Sequence, residues 1–375
     1  MIALPDRAAE RAAAAECLGW FCAMGAEPVE ADILLPAGAL LDLYGEDIRA
    51  RAYVTHDPAL GEMMLRPDFT VPVVQAHMAG GAEPARYAYA GLVFRRQEDE
   101  GGRPREYFQA GYEVFARTDP AAAEAEVFAL FARLLDGTGA EAVTGDVGVL
   151  AAAVAGLATT PARRAALARH IWRPERFRAL LHRFAGEGAP DPARAALIAA
   201  VRAEGAAAVA ARAGAGGGLR GPDEVAARLA ALVEDSDAAP LPAAQVDALE
   251  AVLALDAPLA QVPGRLAALA GALPALEPAA ARIAARAAAL AAHGLDPARL
   301  RFAGSHGRAG MEYYDGFVFS FADPAGPGRP PLATGGRYDA LCARLGGGRA
   351  IPAVGGVVRP GPWRAAGGLA PEARP

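Results

Sequence analysis

The stretch Val93–Glu113, VFRRQEDEGGRPREYFQAGYE, decides the fold because it joins two strand patterns. These patterns cover about residues 87–96 and 107–116, and both contain several aromatic side chains. The link Gln97–Glu106 is charged and contains two adjacent glycines and a proline. Two long strands joined in this way predict an antiparallel hairpin with a long mobile loop.

The second strand of this hairpin has a period of two, so its side chains divide between two faces. One face carries Phe108, Ala110, Tyr112 and Val114, and the other carries Tyr107, Gln109, Gly111 and Glu113. An antiparallel sheet often buries one face and uses the other. The pattern leaves two interpretations of the polar face open: an ordinary solvated surface, or a shallow floor on which a small polar ligand lies.

The residues before the hairpin mix helix and strand patterns. Asp6 is a suitable cap for a helix that runs to about Cys22. The following patterns predict a strand at about 31–35, two strands at 51–55 and 61–65 joined by a turn at Asp57–Pro58, and a helix after Thr70. Asp119–Pro120 starts another helix after the hairpin.

The last part of the chain returns to strands and glycine turns. Met311–Phe321 predicts an aromatic strand with Gly316 at a bulge or a close approach. Ala333–Leu345 predicts the end of a strand, a tight turn at Gly335–Gly336 and then a helix.

The patterns divide the chain into zones. Residues 1–150 and 296–365 both mix strand patterns with helix patterns. Residues 151–295 are rich in alanine and predict helices with apolar stripes. Residues 366–375 predict a flexible tail.

Composition excludes several kinds of chemistry. All 37 basic residues are arginine, so neither a Walker lysine nor a Schiff base is available. The net charge of −6 disfavours nucleic acid as a ligand. Three sparse cysteines indicate a reducing, cytoplasmic location, and Cys17 and Cys22 lack the further ligands of a metal site. We expect no signal peptide, membrane span, metal or cofactor.

Five segments in order resemble the histidyl-tRNA synthetase family, a branch of the class II synthetases. LRPDFT at 65–70 resembles "LRPE-x-T", and the fold-deciding stretch at 93–113 resembles motif 2, "FR-x-E … GR-x-R-E-F-x-Q-x-G-x-E". EYYDGFVF at 312–319, GGRYDAL at 335–341 and PAVG at 352–355 resemble "LDYY-x-x-T-V-F", "GGRYDGL" and the start of motif 3. The resemblance implies an α+β class II fold, an antiparallel sheet flanked by helices. It implies that residues 1–150 and 296–365 form the synthetase-like core and that residues 151–295 are an inserted helical subdomain.

The resemblance also implies a ligand pocket for a histidine-like or ATP-like molecule. Seven residues match synthetase positions that bind the amino group of histidine or the phosphate of ATP, or that lie near the imidazole. They are Asp68, Thr70, Arg95, Gln109, Glu113, Tyr313 and Tyr314. A carboxylate pair suits an ammonium group through charge-assisted hydrogen bonds.

Departures from the synthetase pattern concern fixed positive charge. The arginine that steadies the transferring phosphate is replaced by Ala309, with Arg308 one residue away and on the opposite face of a strand. Gln97 replaces a glutamate. Pro360 and Pro362 disfavour the motif 3 helix, and Arg359 is out of register. Phosphoryl chemistry depends on such charges, so we expect adenylation to be severely impaired.

Only 20 residues follow Gly355, whereas an anticodon-binding domain needs roughly a hundred. A synthetase fold of this length without catalytic arginines resembles the ATP phosphoribosyltransferase regulatory subunits. That resemblance implies a non-catalytic partner of the short-form catalytic subunit in a hetero-octamer, a self-dimer through the synthetase-like core, and histidine feedback control without tRNA. Two alternatives remain: a freestanding enzyme that adenylates a small amino acid, and a degenerate tRNA-binding synthetase.

Overall fold

The computed structural model describes residues 7–38, 52–97, 104–188, 191–212, 221–308 and 313–369. Its strands are β1 Glu27–Pro28, β2 Leu34–Pro36, β3 Val54–Asp57, β4 Gly61–Leu65, β5 Ala85–Phe94, β6 Glu106–Phe115, β7 Ala142–Asp146, β8 Asp256–Pro258, β9 Arg301–Ala303, β10 Phe317–Phe321, β11 Ala333–Arg337 and β12 Ala353–Val358. Nine of them form one sheet in the order β1-β5-β6-β12-β11-β10-β7-β9-β8, and β2-β4-β3 form a second sheet. Most pairs are antiparallel, and the exceptions are β1 with β5 and β7 with β9.

The helices flank these sheets. They are α1 Arg7–Ala23, α2 Thr70–Met78, α3 Pro120–Leu134, α4 Val147–Ala155, α5 Pro161–Arg169, α6 Pro174–Phe184, α7 Pro192–Glu204, α8 Ala206–Arg212, α9 Pro222–Asp237, α10 Ala243–Ala254, α11 Val262–Leu269, α12 Leu276–Ala292, α13 Asp339–Leu345 and α14 Pro360–Ala365. The predicted α+β class is therefore confirmed.

The central hairpin has the predicted antiparallel pairing. Strand β5 runs beside β6 with Tyr87 opposite Glu113, Tyr89 opposite Gly111 and Gly91 opposite Gln109. The residues in each pair lie on the same face, because directly opposed side chains point the same way. Residues 98–103 of the predicted mobile loop lie outside the described part of the chain.

The predicted turn at Gly335–Gly336 is wrong. Both glycines lie inside β11, which pairs with β10 on one side and β12 on the other. A Cβ atom at Gly335 would collide with the Phe319 ring and the carbonyl oxygen of Gly355. Crowding above the strand, rather than a change of direction, accounts for the absence of side chains there. The predicted helix follows as α13.

The expectation that Pro360 and Pro362 disfavour a helix after β12 is also wrong. Helix α14 begins at Pro360, immediately after Arg359. Proline is tolerated in the first helical turn, because its missing N–H has no intrahelical partner there and its φ angle is already helical.

Several predicted strands differ in their limits. The aromatic strand is shorter than predicted and begins at Phe317, with residues 309–312 outside the described part of the chain. Gly316 lies at a close approach, since an added Cβ would be 2.9 Å from Cδ of Arg337. The strands predicted near 31–35 and 51–55 are found at Leu34–Pro36 and Val54–Asp57.

The hydrophobic core is continuous between the sheet and much of the helical region. Phe21 of α1, Phe128 of α3, Leu249 of α10 and Ile283 of α12 belong to one cluster of buried side chains. Strand β8 lies between helices of the predicted insertion yet pairs with β9 in the large sheet. The sheet and the helical region thus share a core, and the limits of the proposed insertion at 151 and 295 stay a prediction.

A buried ionic network fixes α12 to the sheet. Arg286 donates through Nε to Glu124 at 2.5 Å and through Nη2 to Asp146 at 2.7 Å. Arg337 donates through Nε to the other oxygen of Glu124 at 2.5 Å, and its Nη1 reaches Asp339 at 3.0 Å. Buried charges require such pairing, because burial without partners is costly.

Candidate functional site

Strand β6 has a buried polar face, called the floor below, which carries Gln109 and Glu113 on either side of Gly111. Gln109 and Glu113 are each 1% exposed. The interpretation of this face as an ordinary solvated surface is therefore wrong. The opposite face is also buried, with Phe108, Ala110 and Tyr112 facing the core.

Three hydroxyl groups surround the carboxylate of Glu113. Its Oε1 accepts hydrogen bonds from Thr70 Oγ1 at 3.0 Å and from Tyr89 OH at 2.9 Å. Its Oε2 accepts one from Tyr338 OH at 2.6 Å. Gly355 lies opposite Glu113 on β12, and a Cβ there would collide with the carboxylate. Residues of α2, β5 and β12, together with Tyr338 between β11 and α13, therefore meet at this one side chain of β6.

Burial gives Glu113 an unusual titration. It raises the pKa of Glu113 to about 7, because a charged carboxylate loses its hydration there. The hydroxyl donors of Tyr338, Tyr89 and Thr70 oppose the shift, while the charge of Asp68 adds to it. Glu113 is therefore partly protonated at neutral pH.

Gln109 lies two residue pairs further along the same face. Its Oε1 is buried and has no hydrogen-bond partner within the described residues. The opposed residue is Gly91, where a Cβ would lie 2.7 Å from Nη2 of Arg66. Arg66 is held over this point because Nε donates to the Leu92 carbonyl at 2.8 Å and Nη1 donates to the Ala31 carbonyl. Buried amide oxygens are nearly always hydrogen-bonded, so a donor group placed beside Gln109 Oε1 would be stabilised there.

The other predicted residues converge on the same floor. Asp68 and Thr70 are each 3% exposed and lie at the start of α2. Tyr313 OH donates to Thr70 Oγ1 at 3.4 Å. Burial, Glu113 and Asp68 raise the pKa of Tyr314. Arg95 donates through Nε to the Pro67 carbonyl at 2.9 Å, beside these groups. The structure thus groups six of the seven predicted residues at or around Glu113, while Gln109 lies on the same face of β6 two residue pairs away.

The two described arginines nearest the altered synthetase positions serve other contacts. Arg308 is 3% exposed, donates through Nε to the Ile171 carbonyl at 2.7 Å and lies 5.0 Å above the Phe177 ring. Arg359 donates to the carbonyl of Pro331. Ala309 lies outside the described residues. Arg308 is thus turned toward the helical region, where it holds the turn between α5 and α6.

Sequence reasoning missed a basic cleft at the tip of the central hairpin. Its lining comes from the second sheet and from the ends of β5 and β6, and consists of Ala52, Tyr53, Val54, Arg96, Gln97 and Arg105. Arg66 was missed as well, although it stands inside the LRPDFT segment. Its signal in the sequence was a basic residue two positions before the acidic residue Asp68.

The described residues contain neither a metal-binding cluster nor a membrane-spanning helix. No group of three or more His, Cys, Asp or Glu side chains there is arranged to hold a metal ion. None of the described helices has the length and apolar character needed to cross a membrane.

Comparison with protein families identifies the sequence relationship. The family model described as histidyl-tRNA synthetase matches residues 3–239 and 225–360. An ATP phosphoribosyltransferase regulatory subunit from Mesorhizobium japonicum is 36% identical over 358 residues, covering 92% of this chain and 94% of that relative. A protein with the same description from Brucella ovis is 35% identical over 345 residues, covering 88% and 90%.

Solved structures share the fold. An ATP phosphoribosyltransferase regulatory subunit/histidyl-tRNA synthetase from Bacillus halodurans superposes with a TM-score of 0.66 at 20% identity, covering 97% of this chain and 80% of that one. A histidine–tRNA ligase subunit from Alicyclobacillus acidocaldarius gives 0.59 at 20% identity, covering 98% and 95%. The fold agreement and the sequence identity together show that the chain belongs to the family of ATP phosphoribosyltransferase regulatory subunits, which share the histidyl-tRNA synthetase fold.

Proposed function

We propose that this chain is a non-catalytic regulatory subunit of ATP phosphoribosyltransferase, required for activity and for histidine feedback control of the first step of histidine biosynthesis. The observation that carries the proposal is the match to regulatory subunits along 92% of the chain. The site geometry supports it, because β6 carries a buried polar face while Arg308 and Arg359 bond to the carbonyl groups of Ile171 and Pro331.

The floor suits a small amino acid with a free ammonium group. Glu113 and Asp68 supply negative charge, and the unpaired Oε1 of Gln109 supplies a further acceptor. Tyr313 and Tyr314 supply aromatic walls, and Arg95 supplies positive charge for a carboxylate or phosphate. Histidine is the ligand that agrees with feedback control, and an ATP-like ligand is the second candidate.

Catalysis by this chain itself is not expected. Transfer of an adenylyl group requires fixed cations against the departing pyrophosphate. The reaction that joins ATP to phosphoribosyl pyrophosphate belongs to the short-form catalytic subunit. This chain would assemble with that subunit in a hetero-octamer, dimerise through its own synthetase-like core, and act in the cytoplasm without tRNA.

Co-expression tests the proposed partnership. The tagged chain and the short-form catalytic subunit are purified together and their mass is measured by light scattering after size-exclusion chromatography. A stable complex of defined stoichiometry is expected. Separate elution of the two proteins at micromolar concentration would contradict the proposal.

Histidine-dependent exchange between ATP and pyrophosphate separates this function from the alternative, a freestanding adenylating enzyme. We expect no exchange above the protein-free blank. Robust exchange would favour the enzyme. A degenerate synthetase would instead bind tRNA with a steep dependence on salt, which the net charge of −6 disfavours.

A further inference from the structure

Strand β3 lies at an outer edge of the second sheet. The strand order β2-β4-β3 leaves its far side without a neighbouring strand among the described residues. Leu65 N donates to the carbonyl oxygen of Tyr53 at 3.0 Å, so these two residues form a hydrogen-bonded pair of the ladder. Such pairs alternate with non-bonded pairs along an antiparallel ladder, so the N–H and C=O groups of Val54 and His56 point away from β4. The edge therefore presents backbone groups to which a further strand can pair.

The basic cleft at the tip of the central hairpin adjoins this edge. Val54 lines the cleft and is also the first residue of β3. Its side chain is 39% exposed, and Leu60, in the turn after β3, is 70% exposed. The cleft has a volume of about 640 Å³, which gives the side chains of an added strand space beside the edge. A free strand edge, exposed apolar side chains and an open cleft thus occur together.

The charge of the cleft selects the kind of partner. Arg96 and Arg105 line it, and both are exposed. Within the part of the chain that the structure describes, neither guanidinium group has a hydrogen bond or an ion pair. None of the described residues that line the cleft is acidic. Two unpaired cations complement a segment with acidic side chains, whereas a second copy paired on the same edge would bring like charges together.

We infer that β3 and the basic cleft form a docking surface for an extended acidic segment of the proposed catalytic subunit, which adds to the edge of β3 as a further strand. The inference rests on the proposed function, because that function supplies the partner. The backbone groups of Val54 and His56 pair with the segment, and its acidic side chains bind Arg96 and Arg105. Main-chain pairing then supplies affinity, while the charges supply specificity and fast association.

Calorimetric titration of the full chain with the catalytic subunit tests the role of the charges. The double variant Arg96→Glu/Arg105→Glu is expected to bind about tenfold more weakly at low salt, with a smaller loss at high salt, because salt screens exposed charges. Arg299→Glu, at an exposed arginine outside the cleft, is the matched control and should keep the wild-type affinity. Wild-type affinity in the double variant would overturn the docking surface and leave the proposed function in place. No binding by the wild-type chain would overturn both.

His56→Pro tests the strand addition. Proline removes an outward N–H without removing a hydrogen bond to β4, so the melting temperature is expected to stay unchanged while the complex weakens about tenfold. His56→Ala keeps the N–H and should keep the wild-type affinity.

Amide hydrogen exchange supplies a readout on the unmutated chain. Exchange at Val54–Asp57 is expected to slow when the complex forms, because the outward amides acquire acceptors. Unchanged exchange there would overturn the strand addition. A fall in the mass of the isolated chain caused by His56→Pro, measured by light scattering, would place a second copy on this edge and overturn the inference as well.

Discussion

At the residue scale, the site is organised around Glu113 and the glycine opposite it. The carboxylate occupies the space that a side chain at position 355 would fill. Its three hydroxyl partners come from α2, β5 and the residue between β11 and α13. The hydrogen bonds of this single acidic residue therefore depend on the relative positions of several elements.

The stability of the fold should depend on pH through Glu113. The folded chain holds the proton more tightly than the unfolded chain, whose carboxyl has a pKa near 4.5. Glu113 thus stabilises folding below pH 4.5, and this contribution of about 3 kcal/mol is lost as pH rises to about 7. Urea unfolding from pH 4.5 to 7.5 should show a flatter profile for Glu113→Gln than for the wild type. Parallel profiles would contradict the assignment.

Gly355→Ala should destabilise the chain. The new Cβ meets the Glu113 carboxylate, and we expect a loss of about 2 kcal/mol in the free energy of unfolding, together with weaker histidine binding. Gly264→Ala in α11 is the matched control, because nothing lies within 4 Å of the added Cβ. That change should be neutral or stabilising by about 0.5 kcal/mol. Equal effects of the two substitutions would show that crowding at Gly355 is unimportant.

At the element scale, a glycine patch lies where β11 and β12 meet β6. Gly336 pairs with Gly355, Gly335 pairs with Gly356, and Gly355 in turn faces Glu113. The missing side chains let the ring of Phe319 and the carboxylate of Glu113 pack directly on the backbone. The absence of side chains at these glycines is therefore what makes room for the Glu113 carboxylate.

The same patch shows where sequence reasoning works and where it stops. The period of two in β6 assigned Gln109 and Glu113 to one face, because a strand alternates strictly. Local sequence patterns wrongly predicted a turn at Gly335–Gly336. The actual reason for the glycines is crowding by Phe319, which lies on another strand and leaves no mark in the local sequence. The contacts of Arg286 could not be predicted either, because an arginine in a helix pattern carries no mark of its buried partners.

Arg286→Met should destabilise the contact between α12 and the sheet. It leaves Asp146 and one oxygen of Glu124 buried without their cation, and we expect a loss of about 3–5 kcal/mol in the free energy of unfolding. Arg282→Met, on the exposed side of the same helix, should change stability by less than about 0.5 kcal/mol. Chemical denaturation of both variants measures the difference. A change at Arg286 as small as that at Arg282 would mean that the network contributes little.

At the scale of the whole molecule, the sheet and the helical region share a core and a buried ionic network. Arg337 belongs to this network, and the next residue, Tyr338, donates to Glu113. Glu113 is thus hydrogen-bonded to the residue that follows a member of the network holding α12. A subunit built in this way can pass a change at its site to a partner that packs elsewhere, provided that the ligand favours one arrangement of the complex.

The proposed function requires this chain to act through a catalytic partner. The most direct measurement is the rate of phosphoribosyl transfer to ATP by the short-form catalytic subunit as this chain is titrated in, with and without histidine. We predict that the rate rises to a plateau at a fixed ratio of the two proteins and that histidine then inhibits it. A rate that stays unchanged throughout the titration would contradict the account.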